Sequence, residues 1–179
     1  MNKFVILDRD GVINKDSDSY IKNLEEWIPE EGSIEAIVRL TKANIPVFVA
    51  TNQSGIGRGK ISIADLKEIH HEMSNTVEKA GGAILDIKFC PHHPNDRCEC
   101  RKPEIGLITQ ILSENNLKAS DGYFVGDSDS DLQAADKSGC KAVLVLTGKG
   151  RTTLINKPKY LPVFPNLLSF VMSLLENGE

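Results

Sequence analysis

The feature that most constrains this chain is a recurring apolar run, five to seven residues long, followed each time by a stretch with helical spacing. The runs are KFVILD (3–8), IPVFVAT (45–51), ILDIKF (84–89), GYFVG (122–126) and KAVLVL (141–146). Several contain almost no polar residue, which is how strands read when helices cover both faces of a parallel sheet. Between them, Ser33 is placed to cap a helix over 34–43 that carries Ile34, Ile37 and Val38 on one side. Ser62 with Asp65 forms a capping-box pattern ahead of Leu66, Ile69, Met73, Val77 and Ala80. Further helical spacing runs over 104–116, over 129–138 with Gly139 as its stop, and after Asn166. The alternation predicts an α/β fold, a Rossmann-like three-layer α/β/α sandwich with a mostly parallel sheet. At 179 residues and 40% hydrophobic content, one compact domain spanning 1–179 is expected.

Charge and composition then exclude partners. A net charge of −4 argues against general attraction to nucleic acid or to an anionic membrane. No stretch approaches the ~20 apolar residues of a membrane span. The opening MNKFVILDRDG has no small-residue cleavage site after a hydrophobic stretch. The expectation is a cytoplasmic monomer with no nucleic-acid or membrane partner. Three of the four cysteines crowd into CPHHPNDRCEC, unlike a secreted disulfide framework, while Cys140 reads as a small core residue.

Ligands of open α/β sheets bind beyond the carboxyl ends of strands. Asp8 and Asp10 of LDRDGVIN leave the first apolar run there, Thr51 of VATNQSG leaves the second, and Asp127 of VGDSDSD leaves a later one. Each motif alone is more often a surface turn than a site. Asp8 and Asp10 share a face in extended chain, so their carboxylates need a cation or a shared proton if they are buried. Delivery of DxD, TN and GD to one rim favours a site.

DRDGVIN, VATNQSG, CRKP and VGDSDSD together resemble the four motifs of the haloacid dehalogenase superfamily of aspartyl phosphatases. NQSGIGRG and CPHHP…CECRKP are similar to the group that holds the D-glycero-D-manno-heptose-1,7-bisphosphate and histidinol-phosphate phosphatases. The resemblance implies Mg²⁺-dependent hydrolysis of a phosphate monoester, with Asp8 as nucleophile and Asp10 as general acid and base. It implies Mg²⁺ held by Asp8, Asp127 and the backbone carbonyl of Asp10. Metal and a protonated Asp10 would then relieve the crowding of the two acids. Thr51 and Lys102 would stabilise the phosphoryl group in transfer. Asp129 and Asp131 read equally as partners of Lys102 or a metal-bound water and as solvated acids at a helix start. Family members often carry a lysine after the motif-four aspartate; this chain has Ser128.

Cys90-x-His92-x5-Cys98-x-Cys100 offers three thiols and an imidazole, a set suited to tetrahedral zinc although its spacing differs from ordinary zinc fingers. The resembled group carries such a loop, here about 90–102. The reading is structural Zn²⁺, because four protein ligands leave no open position. His93 reads as a surface neighbour, and at least one of His70 and His71 as solvent-facing.

No large cap domain fits between the motifs, so loops should shape an open site. Asp16, Ser17, Asp18, Ser19, Tyr20, Asn52, Gln53, Ser54, Arg58 and Arg101 are the candidates to touch a small phosphorylated sugar. NQSGIGRG favours the 7-phosphate of the heptose bisphosphate, in nucleotide-heptose synthesis for lipopolysaccharide core or a related glycan. The short gap between His92 and Cys98 points instead to histidinol phosphate. A DNA 3′-phosphatase or a non-catalytic zinc-bearing interaction module fits less well.

Overall fold

A computed structural model describes residues 3–156 and 161–177. Its elements are β1 (Phe4–Leu7), α1 (Ser33–Lys42), β2 (Val47–Asn52), α2 (Ser54–Gly57), α3 (Ile63–Lys79), β3 (Asp86–Cys90), α4 (Gly106–Glu114), β4 (Gly122–Gly126), α5 (Asp129–Ser138), β5 (Lys141–Val145), α6 (Gly150–Ile155), β6 (Val163–Phe164) and α7 (Leu167–Glu176). The strands form one sheet in the order β3-β2-β1-β4-β5-β6. Every pairing is parallel.

Alternation along the strands builds the three layers. Val5 and Leu7 of β1, with Val47 and Val49 of β2, face a core closed by α1, α3 and α7. Phe4, Ile6, Phe48 and Phe124 point the other way, against Leu107, Ile108 and Ile111 of α4 and Ala134 and Ala135 of α5. Cys140 packs in this second core, as expected of a small apolar residue. With both faces covered, β1 and nearly all of β2 are buried, whereas edge strand β3 keeps Asp86 and Lys88 partly exposed.

Two helix starts follow the expected chemistry. Ser62 and Asp65 form a reciprocal capping box, and Asn166 accepts the Ser169 N–H. Ser33 does not cap α1. Gly32 occupies that position at φ +77, and Ser33 sits inside the helix, its hydroxyl donating to the Ile13 carbonyl at 2.7 Å. That long-range bond ties α1 to the segment after β1, a partner that local spacing does not reveal. β6 also escaped the periodicity, because two residues carry no pattern.

The strand order reverses direction between β1 and β4. This is a topological switch point, where departing loops diverge and leave a crevice at the carboxyl edge. Asp8 follows β1 and Asp127 follows β4, so the fold puts both acids at that crevice. Residues between β1 and α1 hold only a short turn of helix at Leu24–Glu26, and β2 and β3 are linked chiefly by α3. No inserted cap lies over the edge among the described residues.

Candidate active site

A cavity of about 320 Å³ opens at the switch point. Asp8, Asp10, Asp127 and Lys102 line its floor, with Asp16, Ser17, Asp18, Tyr20, Asn52, Gln53, Ser54 and Arg101 around them. Three sequence-derived candidates are not on the wall. Thr51 is fully buried below it, its hydroxyl accepting from Gln53 Nε2 at 2.9 Å. Ser19 and Arg58 are exposed outside it. Lys149, Ser128, Ser130 and Ile21 do line the cavity and were not among the candidates.

Each acid of the DxD pair has its own counter-charge. Lys102 Nζ lies 2.9 Å from Asp8 Oδ1 and 2.7 Å from Asp131 Oδ1, and it also donates to the Ala50 carbonyl at 2.8 Å. Asp131 therefore belongs to the site rather than to a solvated helix start, and it is completely buried. Asp10 Oδ1 instead accepts from Arg9 Nη2 at 2.7 Å, Arg9 Nε at 3.1 Å and Asn14 Nδ2 at 2.9 Å, while Oδ2 accepts from Gln53 Nε2 at 2.8 Å. Burial would raise the Asp10 carboxyl, but Arg9 and these donors outweigh it and hold it below the usual range. Arg9, rather than a proton, thus balances the Asp10 carboxylate, whose charge still adds to the upward push on Asp8 and leaves the expected role of a metal there intact.

The crowding falls elsewhere. Carboxylate oxygens of Asp8, Asp127 and Asp131 lie within 4.8 Å of one another. Burial and the Asp131 charge push Asp8 up to about 7. Burial and the Asp8 charge push Asp127 up to about 8. Three buried acids with one lysine are short of positive charge, and a hard divalent cation on oxygen ligands supplies what is missing. The donor set therefore fits Mg²⁺.

Asp127 is held with unusual closeness. One of its oxygens accepts the Lys149 backbone N–H at 2.7 Å, and the Thr153 hydroxyl donates to its carbonyl at 2.7 Å. Gly11 and Gly148, both at positive φ, press their backbones against the carboxylate, so that a Cβ on either would overlap it. Lys149 Nζ reaches Asp16 at 3.3 Å across the mouth.

At the rim, Cys90 Sγ lies 3.5 Å from His92 Nδ1 and 3.6 Å from Cys98 Sγ. Cys100 Sγ lies 3.2 Å from His92 Nδ1 and 3.5 Å from Cys98 Sγ. Tetrahedral zinc with thiolate and imidazole ligands has ligand–ligand edges of about 3.5–3.8 Å; three of these separations match and the His92–Cys100 one is shorter, so the cluster suits that ion once this pair opens by a few tenths of an ångström. His93 points away and accepts the Asn95 N–H. The loop is tied to the cavity in two places: Gly57 N–H donates to the Pro91 carbonyl at 2.8 Å, and Asn52 exchanges two hydrogen bonds with the Lys102 backbone at 3.0 Å.

Comparison with known proteins agrees with this geometry. The HAD-hydrolase-like family model matches residues 99–169. A D-glycero-beta-D-manno-heptose-1,7-bisphosphate 7-phosphatase of Neisseria meningitidis is 49% identical over 180 residues, covering 98% of this chain and 96% of that protein. The chain belongs to the haloacid dehalogenase-like phosphatases. Within this family, a similarly named protein of Pseudomonas aeruginosa is 49% identical over 173 residues, 96% of this chain and 97% of its own. The crystal structure of D,D-heptose 1,7-bisphosphate phosphatase from B. bronchiseptica, complexed with magnesium and phosphate, superposes with a TM-score of 0.95 at 43% identity, covering 99% of both chains. Among the described residues of this phosphatase, no helix is long and apolar enough to cross a membrane.

Sequence reasoning missed Lys149 on the cavity wall and, behind the wall, the contact between Arg9 and His70. Arg9 stood in view between the two acids, and a charged residue within a strand-end motif was the available signal. His70 sits on the apolar stripe of α3 with Leu66, Ile69 and Met73, where a polar residue asks for a partner.

Proposed function

We propose that the chain removes the 7-phosphate of D-glycero-D-manno-heptose 1,7-bisphosphate by a Mg²⁺-dependent, aspartyl-phosphate mechanism. The observation that carries the chemistry is Asp8, buried at the cavity floor with Lys102 on one side and Asp127 on the other. Names and full-length similarity of the relatives support the substrate. Mg²⁺ would be held by Asp8, Asp127 and the Asp10 backbone carbonyl, and it would neutralise phosphate charge so that an anionic nucleophile can approach.

Asp8 attacks phosphorus while Lys102, fixed by Asp131, balances charge on the transferring group. The bond to the sugar oxygen breaks, and Asp10 hands that oxygen a proton. Asp10 rests as a carboxylate; the negative charge of the arriving phosphate raises its proton affinity, and as the substrate binds it takes up from solvent the proton that it then hands on. It then takes a proton from the water that cleaves the aspartyl-phosphate. Zinc at Cys90, His92, Cys98 and Cys100 would hold the segment that carries Arg101 and Lys102.

Arg101 lines the cavity with Nη1 buried and unpartnered, which suits it to an anionic group of substrate. Lys149 offers a second cation across the mouth. We assign these two to the sugar's distal phosphate. Phosphate release from the heptose bisphosphate, measured beside histidinol phosphate and a 3′-phosphorylated oligonucleotide, tests the reading. Preference for either alternative overturns the substrate, and no release from any of the three overturns the chemistry.

A further inference from the structure

We infer that His70 is a positioning residue for proton transfer: its Nε2 accepts a hydrogen bond from the buried Arg9 guanidinium and so fixes the Arg9 fork against Asp10. The inference rests on the acid–base role proposed for Asp10.

Arg9 is completely buried and His70 is 8% exposed. Arg9 Nη1 stands 3.3 Å from His70 Nε2. Arginine only donates, so Nε2 must be the bare nitrogen and the proton of the neutral ring must lie on Nδ1. Burial and the Arg9 charge both act against protonation, pulling His70 down to about 3. The ring is braced edge-on against Phe89, centroids 5.8 Å apart.

This anchor decides which edge of the guanidinium Asp10 meets. With Nη1 held by His70, Nε and Nη2 are left to bind Asp10 Oδ1. Asn14 adds a third donor to the same oxygen. Oδ1 is then saturated, and Oδ2, which meets only Gln53, is presented for exchange with the reacting atoms. A histidine on the apolar stripe of α3, across the core from the first strand, thereby sets the aim of a carboxyl it never touches. Leucine would fill the same place in the packing and leave Nη1 unpaired, so that the fork could turn.

The test compares His70→Leu and His70→Gln with the wild-type enzyme. The substrates are the heptose bisphosphate, whose sugar oxygen needs a proton to leave, and p-nitrophenyl phosphate, whose phenolate departs without one. A positioned general acid is worth about 10²–10⁴-fold, and a partly misaimed one should lose about tenfold. His70→Leu should lower kcat/KM about tenfold on the sugar and leave the aryl ester nearly unchanged. His70→Gln, whose amide oxygen can accept from Nη1, should recover most of the loss.

Equal losses on both substrates, or no loss, overturn the inference. So does failure of glutamine to recover more than leucine. Wild-type turnover of the sugar and its loss in Asp10→Asn test the proposed function separately, whatever His70 does. Should the leucine variant fail to fold, long-range proton–nitrogen correlation spectra of the wild-type imidazole decide the matter. A proton on Nδ1 at neutral pH supports the inference, and a proton on Nε2 overturns it.

Discussion

Lys102 Nζ lies 2.9 Å from Asp8 Oδ1, with the two side chains only 1% and 13% exposed. At that depth a cation and a carboxylate depend on each other, because neither can be compensated by water. Lys102 is raised well above its ordinary value: burial opposes this, but the charges of Asp131 and Asp8 outweigh it.

Removing the nucleophile should stop the reaction without unfolding the chain. Asp8→Asn keeps the shape of the side chain and loses its charge, so kcat should fall by roughly 10³-fold or more. Asp10→Asn should also be severely impaired but should bind inorganic phosphate better than Asp8→Asn. Wild-type-like phosphate release by Asp8→Asn ends the aspartyl-phosphate mechanism.

Arg101 and Lys102 are adjacent and should fail differently. Lys102→Ala leaves Asp8 and Asp131 buried without their cation, a change worth about 3–5 kcal/mol in stability, and should slow every phosphate ester. Arg101→Ala should slow the bisphosphate about tenfold or more, as for loss of a charge-assisted contact, and spare p-nitrophenyl phosphate. Steady-state kinetics of both variants on both esters check this. Equal slowing by Arg101→Ala contradicts the assignment of the distal phosphate.

The two metals should separate on chelation. Brief treatment with a mild chelator should abolish activity, and added Mg²⁺ should restore it, while elemental analysis still finds zinc near one per chain. Cys98→Ser or Cys100→Ser should lose zinc and lower activity through displaced Arg101 and Lys102, with the sheet still folded by circular dichroism. A zinc-free sample with full activity would sink the structural-zinc reading.

His70 should leave an acid-labile mark on stability. Its folded value, about 3, lies below the 6.5 of an unfolded histidine, so the unfolded chain takes up the proton first. The stabilisation is fully present above pH 6.5, declines as pH falls from there towards 3, and amounts to at most roughly 5 kcal/mol. Denaturant unfolding of wild type and His70→Gln should show the wild type losing more stability over that window. Parallel pH curves would contradict a neutral buried imidazole.

Gly148→Ala should damage Asp127 although it removes no functional group. The residue sits at φ +53 and its new Cβ would overlap the Asp127 carboxylate and the Gly11 backbone. Loss of stability should be about 1–3 kcal/mol, and the Mg²⁺ concentration needed for half-maximal activity should rise. An unchanged Mg²⁺ requirement would show that the glycine clamp does not position Asp127.

Local residue pattern was enough to reveal the layers and the rim. Apolar runs alternating with amphipathic stretches leave a parallel sheet covered on both faces as the arrangement that buries them, and strand-end polarity marked Asp8, Thr51 and Asp127. The four zinc-loop side chains were legible because their spacing is local. How charges are shared emerges only from packing. Arg9 serves Asp10; Asp131 turns inward to Lys102; Thr51 lies beneath the cavity; and Lys149 arrives from beyond β5. The physical reason is distance along the chain. Periodicity and caps are set by neighbours within a turn or a strand, whereas Arg9 meets His70 across 61 residues and Lys149 meets Asp127 across 22. Which buried donor faces which acceptor is settled only when the helices pack on the sheet.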